Sequence, residues 1–142
     1  MPTAYRSNRP VGRDQQEARI RVDFSELTAA ATTETLDLVT LPVGAQIDLC
    51  LVDLLVTFAD AGSISDLTVE IGTAGDPDAF QVATDVFGPA AGQYRADGAN
   101  PSASGVGVKA KFTATGGNLG DGNDPDLDDG LLDVNLRYTI VD

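Results

Sequence analysis

The amino-acid sequence predicts an all-β fold: an antiparallel β-sandwich of jelly-roll type, preceded by an extended N-terminal arm. Two observations support this prediction. Apolar and polar residues alternate over several short segments, which is typical of strands with one buried and one exposed face. Clusters of Gly, Pro, Asp and Asn separate these segments at intervals typical of a sandwich. Strands do not alternate with helical segments, so the pattern does not favour a parallel sheet.

The N-terminal segment differs from the rest of the chain in both pattern and charge. Residues 1–16 show neither the two-residue period of a strand nor the longer period of a helix. We therefore expect residues 1–16 to form an extended arm and residues 17–142 to form the β-sandwich domain. Five of the nine basic residues lie in the first 21 positions, whereas the chain beyond them carries four basic and 20 acidic residues.

This segregation of charge predicts a tether that becomes ordered on a partner. A short polar arm cannot bury enough apolar surface to fold alone. Several weak ion pairs with a neighbouring acidic surface, together with pairing to a sheet edge, would order it. A frayed terminus without a partner is the alternative. We predict that five basic residues bind the partner: Arg6, Arg9, Arg13, Arg19 and Arg21.

The predicted domain begins with a strand. Residues 18–24 alternate between apolar and polar side chains, which places Arg19 and Arg21 on the exposed face and Ile20 toward the core. Residues 25–35 are ambiguous between a loop and a short helical turn capped by their first residue, a serine.

Two further strands are predicted in the first half of the chain. Residues 36–41 alternate and end at a Pro-Val-Gly turn. Residues 45–59 form the most apolar run; their number permits a helix, but β-branched residues and alternation favour a strand. Residues 51–56 are apolar apart from Asp53, as expected where a strand is covered on both faces. A subunit interface could supply the second cover.

The second half contains strands separated by longer loops. Alternation predicts strands over residues 67–71, 106–114 and 132–140, and residues 80–82 are consistent with a short one. Residues 84–105 form a long polar segment, and loops of this length in compact domains are usually functional. The prediction is seven or eight strands in total.

A loop near the C-terminus crowds five carboxylates into ten positions. Asp124, Asp126 and Asp128 match the first, third and fifth ligand positions of a calcium-binding loop. The sixth position should be glycine and is Asp129, and the twelfth should be glutamate and is Asn135. We therefore interpret the loop as a solvated turn, with a weak calcium site at the three aspartates as the alternative.

The residues required by common catalytic and metal sites are missing. The sequence has no histidine and a single cysteine, Cys50, which lies in an apolar run and is predicted to be buried. There is no nucleophile elbow, and the glycine-rich run near residue 117 lacks the lysine of a phosphate-binding loop. We predict no enzymatic activity, no catalytic residue and no cofactor.

Charge and hydropathy also argue against two classes of partner. A net charge of −13 repels nucleic acid, because affinity for DNA depends on cations that neutralise phosphates. No apolar segment has the length of a membrane span, and the N-terminus lacks the apolar stretch of a signal peptide. We therefore predict no nucleic-acid or membrane partner and synthesis in a cytoplasm.

Four segments carry a resemblance to a known class of proteins: LVTLPVGA at residues 38–45, LTVEIGTAGDPD at 67–78, VKAKFTATGGNL at 108–119 and LDVNLRY at 132–138. Together they resemble minor structural and capsid decoration (cement) proteins of tailed phages with the HK97-type head. The resemblance covers roughly residues 36–141. It does not include the arm or the 84–105 segment, so it does not imply a mode of attachment.

The resemblance implies a β-sandwich or jelly-roll subunit, often trimeric, that sits at threefold positions and bridges neighbouring capsomers. It therefore implies a decoration protein on the outer head surface, with the major capsid protein and further copies of itself as partners. The location would be the virion, after synthesis in the host cytoplasm. The alternatives are a tail, fibre or head–tail structural protein, and a glycan- or calcium-dependent binding module.

Overall fold

The computed structural model describes residues 13–98 and 102–141 and confirms the all-β prediction. One 3-10 turn, Phe24–Glu26, lies between the first two of eight strands. The strands are β1 (Arg13–Asp23), β2 (Thr33–Thr40), β3 (Ala45–Ala59), β4 (Asp66–Gly72), β5 (Gln81–Asp85), β6 (Gly92–Tyr94), β7 (Gly107–Thr115) and β8 (Asp129–Val141). Within the described residues, no helix is both long and apolar enough to cross a membrane.

The strands form two antiparallel sheets that face each other. Sheet 1 has the order β1-β8-β3-β6 and sheet 2 has the order β2-β7-β4-β5. Most neighbouring strands are not consecutive in the chain: β1 pairs with β8 and β2 pairs with β7, whereas β4 and β5 are consecutive. The predicted antiparallel sandwich is therefore confirmed.

The apolar inner faces of the two sheets form the core. Phe58 on β3 and Phe112 on β7 are both completely buried, and their ring centroids lie 6.1 Å apart with the rings tilted by 42°. This distance and tilt fall in the favourable range for aromatic pairs. Since one ring comes from each sheet, the pair joins the two layers at the centre of the domain.

The sandwich is closed on one side by contacts between β5 and β6. The amide of Val82 donates to the carbonyl of Ala96 at 2.8 Å. The buried Gln81 donates its side-chain amide to the carbonyl of Tyr94 at 3.3 Å and forms a bridge with Asp97. On the opposite side, β1 and β2 each pair with a single strand of the described chain. Those two strands are therefore the edges at the open side.

Strand β1 begins at Arg13, four residues before the predicted start of the domain at residue 17. It pairs with β8 along its whole length, from Arg13 opposite Val141 to Asp23 opposite Leu131. Residues 13–16 of the predicted arm therefore lie in the sheet, because β8 is long enough to supply partners that a local pattern does not show. Residues 1–12 of the predicted arm lie outside the described residues.

The ambiguous segment after β1 starts with a 3-10 turn whose cap differs from the predicted one. Ser25 lies inside the turn, and Asp23 caps it by accepting the backbone N–H of Ser25 at 3.0 Å. Glu26 completes the capping box by accepting the N–H of Asp23 at 2.9 Å.

The predicted 84–105 loop is shorter than its sequence indicated. Strand β5 continues to Asp85, and β6 forms at Gly92–Tyr94 by pairing with residues 52–54 of β3. Strand β6 is defined by this pairing with a strand distant in sequence. Its three residues are too few to show a strand period in the sequence.

Candidate interaction surface

The outer faces of the two sheets differ in chemistry. Sheet 2 presents a polar outer face, in which Lys111 of β7 lies opposite Thr35 of β2 and Glu70 of β4. The neighbouring Lys109 forms an ion pair with Asp37. Such polar alternation is normal for a sheet face in contact with water.

Lys109 and Lys111 also line an open cleft on sheet 2 with a cavity volume of about 360 Å³. Thr73 and Pro77 form part of its wall. Asp37 already compensates the charge of Lys109, whereas Lys111 forms no ion pair with another described residue. A single half-buried cation in an open cleft holds a small anion only weakly.

The outer face of sheet 1 instead combines polar pairs with leucine side chains. Leu49, Leu51 and Leu55 of β3 and Leu131 of β8 are half-buried there. Val56 of β3, which pairs with Leu131, is 38% exposed. These residues lie opposite the core face of their strands, so β3 is apolar on both faces, as its sequence indicated.

The best-formed polar pair on this face joins β1 to β8. Arg21 donates through Nε to Asp133 Oδ1 at 2.9 Å and through a terminal nitrogen to Oδ2 at 3.2 Å. The Arg21 side chain is 61% exposed and that of Asp133 is 2% exposed. The hydrogen bond to Asp133, with the attraction of its charge, raises the pKa of Arg21. The guanidinium is therefore fixed along the sheet by a fork-shaped contact.

Two further rows of the same face hold polar pairs. Arg19 donates from Nε to the side-chain oxygen of Asn135 at 2.8 Å. Glu17 forms an ion pair with Arg137 at 3.6 Å. Within the described chain, Arg19 is hydrogen-bonded to an amide and has no carboxylate partner. Its positive charge is thus available to a partner molecule.

The structure brings two of the five predicted partner-binding arginines together. Arg19 and Arg21 lie on the exposed face of β1, as their alternation predicted. Arg13 is the first residue of β1, while Arg6 and Arg9 lie outside the described residues. The partner-binding role of all five stays a prediction.

Sequence reasoning missed the residues that hold these arginines. Asp133 and Asn135 lie within the strand predicted over residues 132–140, but no partner was predicted for either side chain, and Asp133 is buried. The pairing of β1 with β8 carries no local signal, because the two strands lie at opposite ends of the chain.

The acidic loop forms turns through its own carboxylates. Asp121 accepts the backbone N–H groups of Asp124 at 2.7 Å and Asn123 at 2.9 Å, and these bonds lower the pKa of its carboxyl group. Asp128 accepts the N–H of Ala61 at 2.7 Å.

The candidate calcium ligands are not gathered around one point. In the described parts of the chain, no group of three or more acidic or cysteine side chains is arranged to hold a metal ion. Asp124, Asp126 and Asp128 therefore do not form such a group. The hydrogen bonds of the loop agree with its interpretation as a turn.

Cys50 is buried in the inner face of β3, as predicted. Burial raises the pKa of its thiol to about 12, with a smaller contribution from the charge of Asp97. Because the thiolate is the reactive form of cysteine, burial disfavours reaction of this thiol in the folded protein.

Comparison with known proteins gives a result at the level of structure. No protein-family model matches the chain, and no curated protein matches it. A chain of the cyanophage Pam1 capsid asymmetric unit aligns over 94% of this chain and 89% of its own length, with a TM-score of 0.63 and 15% identity. The two chains share a fold.

A second solved structure aligns less well. It is a chain of the acid-stable capsid of Helicobacter pylori bacteriophage KHP30, which covers 88% of this chain and 92% of its own length. Its TM-score is 0.48 and its identity is 14%.

Proposed function

We propose that this chain is a structural protein of a phage virion, and more specifically a capsid decoration protein. In this role it binds the outer surface of the head, bridges neighbouring copies of the major capsid protein and stabilises the shell. The protein acts without catalysis, and its partners are the major capsid protein and further copies of itself in a homotrimer. It contacts neither nucleic acid nor membrane.

One observation carries this proposal: the fold is shared over nearly the whole chain with a chain of a phage capsid asymmetric unit. The strand orders β1-β8-β3-β6 and β2-β7-β4-β5 also support a jelly roll, which is an architecture used by capsid proteins. The sequence resemblance to decoration proteins points in the same direction and supplies the finer role.

The distribution of charge supports attachment through the N-terminal arm. The five arginines of the first 21 residues face a partner, whereas the acidic remainder keeps the free protein soluble before assembly. Each exposed ion pair contributes only about 0–1 kcal/mol, so many copies and several contacts per copy must act together.

Binding to isolated heads tests this proposal. Purified protein is mixed with heads that lack it, and the mixture is sedimented at low and at high salt. We expect saturable co-sedimentation at a fixed number of copies per head, and weaker binding at high salt because the arm contacts are ionic. Sedimentation with tails instead of heads would contradict the decoration role and favour a tail or head–tail component.

A matched pair of variants tests the arm. Deletion of residues 1–12 leaves β1 intact, and we expect it to lower occupancy on heads without lowering the melting temperature. The control variant Arg95→Glu changes a charge that is paired with Asp97 away from the arm, and it should bind heads like the wild type. Equal occupancy for the deletion variant would reject the arm as the anchor.

A further inference from the structure

The four edge strands of the sandwich differ in how they are protected against pairing with other chains. Natural sheets protect their edges with short strands, bulges, prolines or charged side chains. Strand β6 has three residues and β5 has five, and the pairing of β2 with β7 is interrupted by a register shift between Asp37 and Val39. Strand β1 lacks the first three devices, because its 11 residues contain no proline and pair with β8 without a register shift. Its outer face does carry charged side chains, but they are of both signs (Glu17, Arg19 and Arg21), so they can pair with a strand of complementary charge.

Among residues 13–98 and 102–141, no strand pairs with the outer edge of β1. It lies on the open side of the sandwich, away from the contacts that join β5 to β6. Its inward-facing residues Ala18 and Ile20 are only half-buried, although the equivalent residues of the central strands are fully buried. A strand added beside β1 would cover these side chains and satisfy the unpaired backbone groups.

We propose that the partner of this edge is the β1 strand of a second copy of the chain, paired antiparallel about a two-fold axis through Ala18. The two copies of sheet 1 then form one continuous eight-stranded sheet. A contact of this kind is isologous, so each residue pair occurs twice.

The charges of β1 select this register. When residues equally distant from Ala18 face each other, Glu17 lies opposite Arg19 of the second copy, and Gln15 lies opposite Arg21 of the second copy. Both pairs are on the outer face. The Glu17–Arg19 pair has opposite charges, which is favourable across strands, and the Gln15–Arg21 pair places a neutral amide beside an arginine without repulsion. No like charges meet between residues 15 and 21.

The neighbouring registers are unfavourable. An axis through Glu17 places two glutamates opposite each other, and an axis through Arg19 places two arginines opposite each other. A slip of one β1 strand by a single residue would place inner-face residues of one copy beside outer-face residues of the other. This arrangement conflicts with the alternation of side chains in a sheet.

The proposed pairs extend contacts that already exist in one copy. Glu17 is 3.6 Å from Arg137, and Arg19 is bound to the neutral Asn135. Across the axis, Glu17 would lie between Arg137 of its own copy and Arg19 of the second copy. Each Arg19 would thereby gain the carboxylate that it lacks in the described chain.

This contact goes beyond the proposed capsid role and does not depend on it. A closed trimer uses a different, head-to-tail type of interface. A two-fold β1 contact and a trimer can therefore coexist only when the β1 contact joins one trimer to another. The mass in solution distinguishes a two-fold β1 contact, which gives an even number of chains, from an isolated trimer, which gives three.

Reversal of single charges tests the proposal. In the variants Glu17→Arg and Arg19→Glu, like charges meet twice across the axis, and we expect each variant alone to associate at least about tenfold more weakly than the wild type. A mixture of the two variants restores both opposite-charge pairs, and we expect its association to return to within about threefold of the wild type. Sedimentation equilibrium measures the mass against the 14.7 kDa of one chain.

The control is Arg95→Glu, which changes the net charge as Arg19→Glu does but lies beyond β6. It should associate like the wild type. Thermal melting of each variant verifies folding, and recovery in the mixture itself requires two folded chains. A monomeric wild type, or variants that associate alone as well as the wild type does, would overturn the proposal.

A cysteine pair tests the register independently. In antiparallel pairing about Ala18, the two copies of residue 18 are about 4.5–5.5 Å apart between Cα atoms, which suits a disulfide. Ala18→Cys should therefore give a cross-linked dimer under mild oxidation. Gln15→Cys is the control, because its two copies would lie about 20 Å apart. Equal cross-linking of both variants, or none with Ala18→Cys, would reject the register.

Discussion

The carboxylate of Asp133 is almost completely buried on the outer face of sheet 1, although its partner Arg21 is largely exposed. Asp133 also lies directly opposite Asp53 of β3. Its negative charge is thus attracted by Arg21 of β1 and repelled by Asp53 of β3. Arg21 therefore stabilises the join between the edge strand and the middle of the sheet.

Removal of Arg21 should cost more stability than neutralisation of Asp133. The variant Arg21→Ala leaves a buried carboxylate beside Asp53, and we expect it to lower the free energy of unfolding by more than Asp133→Asn does. Asp133→Asn keeps an acceptor for Arg21 and removes the repulsion from Asp53, so its loss should be below about 1 kcal/mol. Urea denaturation measures both values.

The control for this comparison is Arg95→Ala. Arg95 and Asp97 form a pair in which both side chains are largely exposed, so Arg95→Ala should leave the free energy of unfolding close to that of the wild type. A larger loss for Asp133→Asn than for Arg21→Ala would show that the buried charge itself stabilises the sheet.

Gly130 at the start of β8 should not tolerate a side chain. Its φ of +143° is unfavourable for other residues, and a Cβ atom there would lie 2.3 Å from Cδ2 of Phe58. Since Phe58 is fixed in the core, we expect Gly130→Ala to lower the free energy of unfolding by at least about 2 kcal/mol. Gly75→Ala is the matched control, because no heavy atom lies within 4 Å of its added Cβ. Equal stability of the two variants in urea would contradict this prediction.

Cys50 should react with thiol reagents only after unfolding. Burial raises the pKa of its thiol to about 12, so the thiolate fraction near neutral pH is on the order of 10⁻⁴ or less. We expect slow labelling by a chromogenic disulfide reagent in buffer and complete labelling of one thiol per chain in concentrated urea. Rapid labelling of the folded protein would mean that the β3 environment opens readily.

The acidic loop should contribute stability that depends on pH through Asp121. Backbone N–H groups of Asp124 and Asn123 lower the pKa of this carboxyl group, so the folded state favours its charged form. The contribution is fully present above the ordinary aspartate range and is lost as pH falls through the lower pKa of the folded state.

We therefore expect Asp121→Ala to lower the melting temperature at pH 7, and this difference should shrink as the pH falls below about 4. Asp126→Ala is the control, because the Asp126 side chain accepts no hydrogen bond in the described chain. A difference between Asp121→Ala and the wild type that grows at acidic pH would reverse the assignment.

Calcium gives a further outcome for the same variants. If the loop acts as a turn alone, added calcium should leave the melting temperature of the wild type unchanged, because Asp124, Asp126 and Asp128 are not arranged around one point. A rise in melting temperature that Asp126→Ala abolishes would establish the weak calcium site considered from the sequence.

Local patterns in the sequence were sufficient for most strands. The two-residue alternation of residues 132–140 predicted β8, and that of residues 18–24 predicted that Arg19 and Arg21 are exposed. These predictions succeeded because the face on which a side chain lies depends only on its neighbours along one strand. The short β6 has no such pattern and was missed.

Strand order and side-chain partners required the folded chain. Arg19 and Arg21 meet Asn135 and Asp133 across separations of 116 and 112 residues. No short segment encodes these contacts, since they exist only because β8 is the neighbour of β1. The packing of the whole core determines that pairing. The position of β1 at the edge of the described sheet follows from that same pairing, because a strand is an edge only with respect to how all the other strands are paired.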